Sequence, residues 1–112
     1  MTQPQAPPQP KKSRRTMLEQ FLVANPQDGF ARYGLAMECA SQGDDAAAID
    51  NYKKLLADHP DYVAGYFQYG QFLARIARAD EARAILTSGI AVAYRTGDAH
   101  AASEMETALA QL

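Results

Sequence analysis

The chain has 112 residues, 47% of them apolar and 21% charged, which suffices for one small hydrophobic core and predicts a single domain. Twenty-two alanines against only seven Val plus Ile favour helix over sheet. The net charge of −2 divides into a basic leader and an acidic body, since from Thr16 onward seven Lys/Arg face thirteen Asp/Glu, a balance that disfavours phosphate and argues against a nucleic-acid reader.

Residues 1–15 read as a disordered leader: Met1 to Pro10 holds four of the six prolines, and the basic run Lys11, Lys12, Ser13, Arg14, Arg15 follows as a solvated charge cluster. There is no apolar stretch of the roughly 20 residues that spans a membrane and no secretory signal pattern, so a soluble cytoplasmic protein is expected. The lone Cys39 excludes an internal disulfide and a paired-thiolate zinc site, and suits a reducing compartment.

The first helix is expected over 16–25, opened by a capping box of Thr16 and Glu19 and stopped by Pro26. Asp28 then caps a second helix, Gly29 to about Ser41, which Gly43 ends. Asp44 or Asp45 caps a third, whose Ala48, Ile49, Tyr52, Leu55 and Leu56 form one apolar stripe before Pro60. Asp61 caps a fourth with Tyr66, Phe67, Tyr69, Gly70 and Leu73, and a break near Arg78 to Asp80 leads into a fifth with Ala82, Ile85, Leu86 and Ile90. Thr96, Gly97 and Asp98 mark a restart, and Ala102, Met105, Leu109 and Leu112 give the last helix its apolar side.

Self-comparison at an offset of 34 residues aligns Tyr33 with Phe67, Leu35 with Tyr69, Ala36 with Gly70, Ala40 with Ala74, Ala48 with Ala82, Tyr52 with Leu86 and Leu56 with Ile90. Leu18, Leu22 and Pro26 precede Tyr52, Leu56 and Pro60 by the same step, so the first helix is half a unit. The small residues Ala36 and Gly70 are expected to let the first helix of a unit approach the second at Ala48 and Ala82, while Tyr52 and Leu86 fill the angle between hairpins.

This pattern resembles the tetratricopeptide repeat family, with its 34-residue helix-turn-helix of W-x2-L-G-x2-Y, then A-x3-F, then P. Leu35, Ala36, Ala48, Tyr52 and Pro60 match in the first unit, and Tyr66, Tyr69, Gly70, Ala82 and Leu86 in the second. Arg32 departs from the first unit's Trp and Cys39 from its Tyr, and Tyr94 stands in place of the second unit's closing Pro, so the fifth helix should run on. The resemblance implies an all-α, right-handed superhelix of about six helices: a half-repeat at 16–25, repeats at 29–62 and 63–96, and a capping helix at 98–112.

Chemistry is sparse. Cys39 falls at a core-facing position, His59 and His100 lack companion ligands and read as surface residues, and no phosphate-binding glycine loop is present. Acidic pairs at helix starts are accounted for by the macrodipole. The expectation is a non-enzyme with no cofactor and no metal. What the resemblance implies instead is a protein or peptide partner held on the first helices of the units, at Phe30, Tyr33, Met37, Ala40 and Ser41 and at Ala64, Phe67, Gln71, Ala74 and Arg75. The Lys and Asn that clamp a carboxylate pair in chaperone-binding members are replaced here by Tyr33, Met37, Phe67 and Gln71. The aromatic groove is either open to a partner or covered by the chain's own terminal helices. The function expected is an adaptor or scaffold; the alternative is a structural subunit that self-associates into a homo-oligomer.

Overall fold

In the computed structural model, which describes residues 13–112, six helices follow one another: α1 Arg14–Ala24, α2 Gly29–Ser41, α3 Asp45–Asp58, α4 Val63–Arg75, α5 Ala79–Arg95 and α6 Ala99–Ala110. No strand occurs among the described residues. Residues 1–12, most of the expected leader, lie outside them.

The first helix starts earlier than its capping box suggests. Ser13, not Thr16, is the N-cap: its hydroxyl accepts from Thr16 N at 3.1 Å. Arg14 and Arg15, expected in the leader, are helical, because tertiary partners reward their inclusion: Arg15 Nη1 reaches Asp44 Oδ2 at 2.9 Å and Arg14 Nε lies 3.8 Å from Glu38. Asp28, Asp44 and Asp98 cap α2, α3 and α6 by accepting from Ala31, Ala47 and Ala101 N. Asp61 does not cap α4; it pairs with Arg95 at 2.8 Å, and Tyr62 stands at the cap without a side-chain bond.

Packing is pairwise along the chain, α2 on α3, α4 on α5 and α5 on α6, with α4 joining successive pairs. Tyr52 of α3 is buried between hairpins, its ring stacked on Tyr69 at 5.0 Å and 6.1 Å from Phe72. Burial raises its hydroxyl pKa to about 12. Within the second hairpin the close approach differs from expectation: a Cβ on Gly70 would meet Leu86 Cδ2 at 2.5 Å, so Leu86 rather than Ala82 fills that space. Gly89 is equally close, with Tyr66 Cβ at 2.5 Å and Met105 Sδ at 2.6 Å from its absent Cβ, which brings α4, α5 and α6 together at one point.

One turn recurs three times. Gly43, Ala77 and Gly97 all have positive φ, at 76°, 64° and 80°, and the residue after each donates back across the turn, Asp44 to Cys39 O, Arg78 to Leu73 O and Asp98 to Ala93 O. Four residues beyond that donor sits a fully buried alanine, Ala48, Ala82 or Ala102. The connection from α5 to α6 is therefore the turn used within hairpins. α5 closes one hairpin and opens the next.

Candidate functional site

The expected partner-binding residues fall into two stretches rather than one groove. Phe30, Tyr33 and Met37 project from α2 and, with Leu18, Gly34 and Arg14, line a depression of about 270 Å³ against α1. Phe30 is 77% exposed and Met37 39%, whereas Tyr33 is half-buried with its ring 5.3 Å from that of Tyr62. Burial also raises the Tyr33 hydroxyl above the usual phenol range, so it stays a neutral donor.

Phe67 and Gln71 project from α4 into a second cleft of about 300 Å³, whose other wall is His100, Ser103, Glu104 and Thr107 of α6. Phe67 packs against the apolar cluster that contains Met105 and Ala102, so the final helix partly covers this half of the surface. Gln71 and Arg75 line an adjoining cleft of about 350 Å³ with Leu86 and Gln111, and the Arg75 guanidinium lies 5.9 Å above the Phe72 ring. Of the two alternatives read from sequence, each holds over part of the surface: the α2 portion is open and the α4 portion is flanked by α6.

The remaining residues weighed for chemistry have structural places. Cys39 is wholly buried, and burial pushes its thiol pKa up, away from thiolate. His59 is not a plain surface residue: its Nε2 lies 2.8 Å from Gln27 O, and its ring sits over Gly29 and edge-on to Tyr62, joining the two inter-hairpin loops. His100 is exposed and pairs with Glu104 one turn on. Among the described residues no cluster of three His, Cys, Asp or Glu is placed to hold a metal ion, and no helix is long and apolar enough to cross a membrane.

A fourth cleft carries a residue whose only mark in the sequence is a departure from the repeat. Between α1 and α3 lies a space of about 370 Å³ lined by Arg15, Arg32, Leu22, Val23, Asn51 and Lys54, among others. Arg32 Nη1 donates to Asn51 Oδ1 and Nη2 to Pro26 O, both at 3.1 Å, while Nε is buried with no acceptor. The one signal available beforehand was a charged residue where the repeat calls for an aromatic one.

These helical hairpins have counterparts in solved structures. A tetratricopeptide repeat domain protein from Salinibacter ruber, determined in solution, is 32% identical with a TM-score of 0.72, covering 77% of this chain and 87% of that one. A crystal structure of a tetratricopeptide repeat domain protein from the same organism is also 32% identical, with a TM-score of 0.68 over 75% of this chain and 93% of that one. A Bordetella parapertussis protein solved in solution shares the fold at 23% identity, with a TM-score of 0.78 over 90% of this chain and 88% of that one. No curated protein matches. The family pattern described as tetratricopeptide repeat matches residues 40–112, which takes in the recurring turns, the buried alanines and α6. With its hairpins, its repeat spacing and these counterparts in agreement, the chain belongs to the tetratricopeptide repeat family, whose domains are generally protein-interaction modules.

Proposed function

We propose that this protein is a non-catalytic interaction module, an adaptor or scaffold of the cytoplasm that holds a segment of a protein partner on the first helices of its hairpins. The observation that carries this reading is Phe30, a large apolar side chain left 77% exposed beside Tyr33, Met37 and Leu18 around one depression. Phe, Tyr and Met presented together supply the anchor types and apolar area that dominate interface energies, and a depression along a helix suits an amphipathic helix or an extended segment. Gln71 and Arg75 add a polar border farther along. The buried, protonated Cys39 supports a non-enzymatic reading and a reducing compartment.

Affinity capture from the native cell with wild type and with Phe30→Ala plus Met37→Ala tests this. Both residues are exposed, so the double variant keeps its fold by circular dichroism and loses specific partners. An unchanged set of partners overturns the reading. A second reading, self-association as a structural subunit, draws on the further exposed apolar residues Met17 and Phe21 of α1. Sedimentation at micromolar concentration decides between them: a homodimer that Met17→Ala plus Phe21→Ala dissociates favours assembly, and a monomer favours the partner module.

A further inference from the structure

The cleft at Arg32 holds a positive charge that the repeat does not require. One unit along, the corresponding place is taken by Tyr66, whose hydroxyl donates to Pro60 O at 2.8 Å, and Arg32 makes the same reach to Pro26 O. A neutral hydroxyl is enough to tether that loop. Arg32 brings in addition a permanent charge and five N–H donors, of which two are used, both on neutral acceptors. No carboxylate pairs with it among the described residues, and its Nε has no acceptor. A partly desolvated guanidinium left this way gains from an anion.

The surroundings narrow which anion. The other cations of the cleft are already matched, Arg15 by Asp44 at 2.9 Å and Lys54 by Asp50 at 3.0 Å, which leaves Arg32 as the lining cation without an ionic partner among the described residues. Glu19 and Asp50 border the same space, and the acidic body surrounds it, so a polyphosphate chain would be repelled. Beside the cleft, the 85% exposed Val23 offers an aliphatic shoulder.

We propose that this cleft receives an acidic side chain from a protein segment. Its carboxylate accepts from the unused Nη hydrogens of Arg32, and an adjacent aliphatic side chain of the same segment rests on Val23. At about 100° per residue, Arg32 and Leu35 lie on the side of α2 away from Phe30, Tyr33 and Met37. The site is therefore separate from the surface assigned above.

The test is nuclear magnetic resonance of the full chain, following the Arg32 Nε–Hε signal during titration with Ac-Ala-Leu-Glu-Val-Ala-NH2 and with the same peptide carrying Gln for Glu. The Glu peptide is expected to give a saturating shift and the Gln peptide binding about tenfold or more weaker. Arg32→Tyr, which restores the tether in the manner of Tyr66, abolishes the response at neighbouring amides. Phe30→Ala plus Met37→Ala leaves it unchanged, which keeps this site distinguishable from the other surface. Inorganic phosphate at the same concentration produces no comparable shift. Equal response to the two peptides, no response to either, competition by phosphate as effective as the peptide, or retained binding in Arg32→Tyr each overturns the proposal; the peptide comparison on wild type decides it even if the variant fails to fold.

Discussion

Arg32 and Tyr66, 34 residues apart, perform the same task with different chemistry: each donates to the carbonyl of the proline six residues before it, Pro26 in one case and Pro60 in the other. The tether fixes how each hairpin enters from the preceding loop. Removing the hydroxyl in Tyr66→Phe leaves the ring packed and the Pro60 carbonyl short of a donor. A loss of about 1 kcal/mol in denaturant-monitored stability is expected. An unchanged midpoint would show that water replaces the bond at no cost.

Two helical glycines should respond to alanine with opposite sign. A Cβ at Gly34 would meet only Leu18 methyls at 3.7 Å, an ordinary contact, so Gly34→Ala gains helix propensity and stabilises by about 0.5–1 kcal/mol. At Gly89 the clash at 2.5 Å is with Tyr66 Cβ, an atom anchored to the backbone, and Met105 Sδ crowds from the other helix. Gly89→Ala is expected to destabilise by about 1–3 kcal/mol. Thermal melts of the pair check the contrast directly.

Ala77 stands with φ at 64° in a turn whose two counterparts are glycines, Gly43 and Gly97. An L side chain in that region carries a penalty of about 1–2 kcal/mol, and glycine removes it at some entropic cost to the folded state. Ala77→Gly should therefore raise stability by about 1 kcal/mol, read from the denaturation midpoint. No gain, or a loss, would mean that the Ala77 methyl contributes contacts that outweigh the strain.

The Arg15 hydrogen bond, reinforced by Ala47 N, holds the Asp44 carboxyl below the usual carboxylate range. A group whose folded pKa is depressed stabilises the fold above its unfolded pKa, near 3.8, and that contribution disappears as the pH falls through the folded value. Melting temperature is thus expected to drop on acidification through and below the ordinary carboxylate range. Asp44→Asn should lower the neutral-pH melting temperature while flattening its acid dependence. Parallel profiles for the two proteins would remove Asp44 from the account.

Much of the architecture is legible in the chain because its signals are local. Pro26 and Pro60 stop helices by geometry alone, and small and large residues recur in step, so α2, α3 and the extended α5 follow from spacing. What escaped depends on distant partners. Thr16 and Glu19 satisfy a capping rule, yet Ser13 wins because a longer α1 lets Arg15 reach Asp44. Asp61 is a good cap by composition, and its carboxylate goes to Arg95 instead. The candidate surface was readable as residue types on α2 and α4. Its division into an open and a flanked part was not, since that depends on how α6 folds back. Arg32 was visible as an exception, but its meaning rests on Asn51 of another helix and on the comparison with Tyr66.

The doubled role of α5 has a dynamic consequence. Because Tyr66 and Met105 both pack at Gly89, lifting α6 also strips packing from α4, so amide hydrogen exchange across α4, α5 and α6 should report a common opening free energy. Helix α1 has no such clasp. Its amides should exchange through a separate, shallower fraying, which leaves the start of the stack the part of this small protein most able to rearrange around whatever meets it.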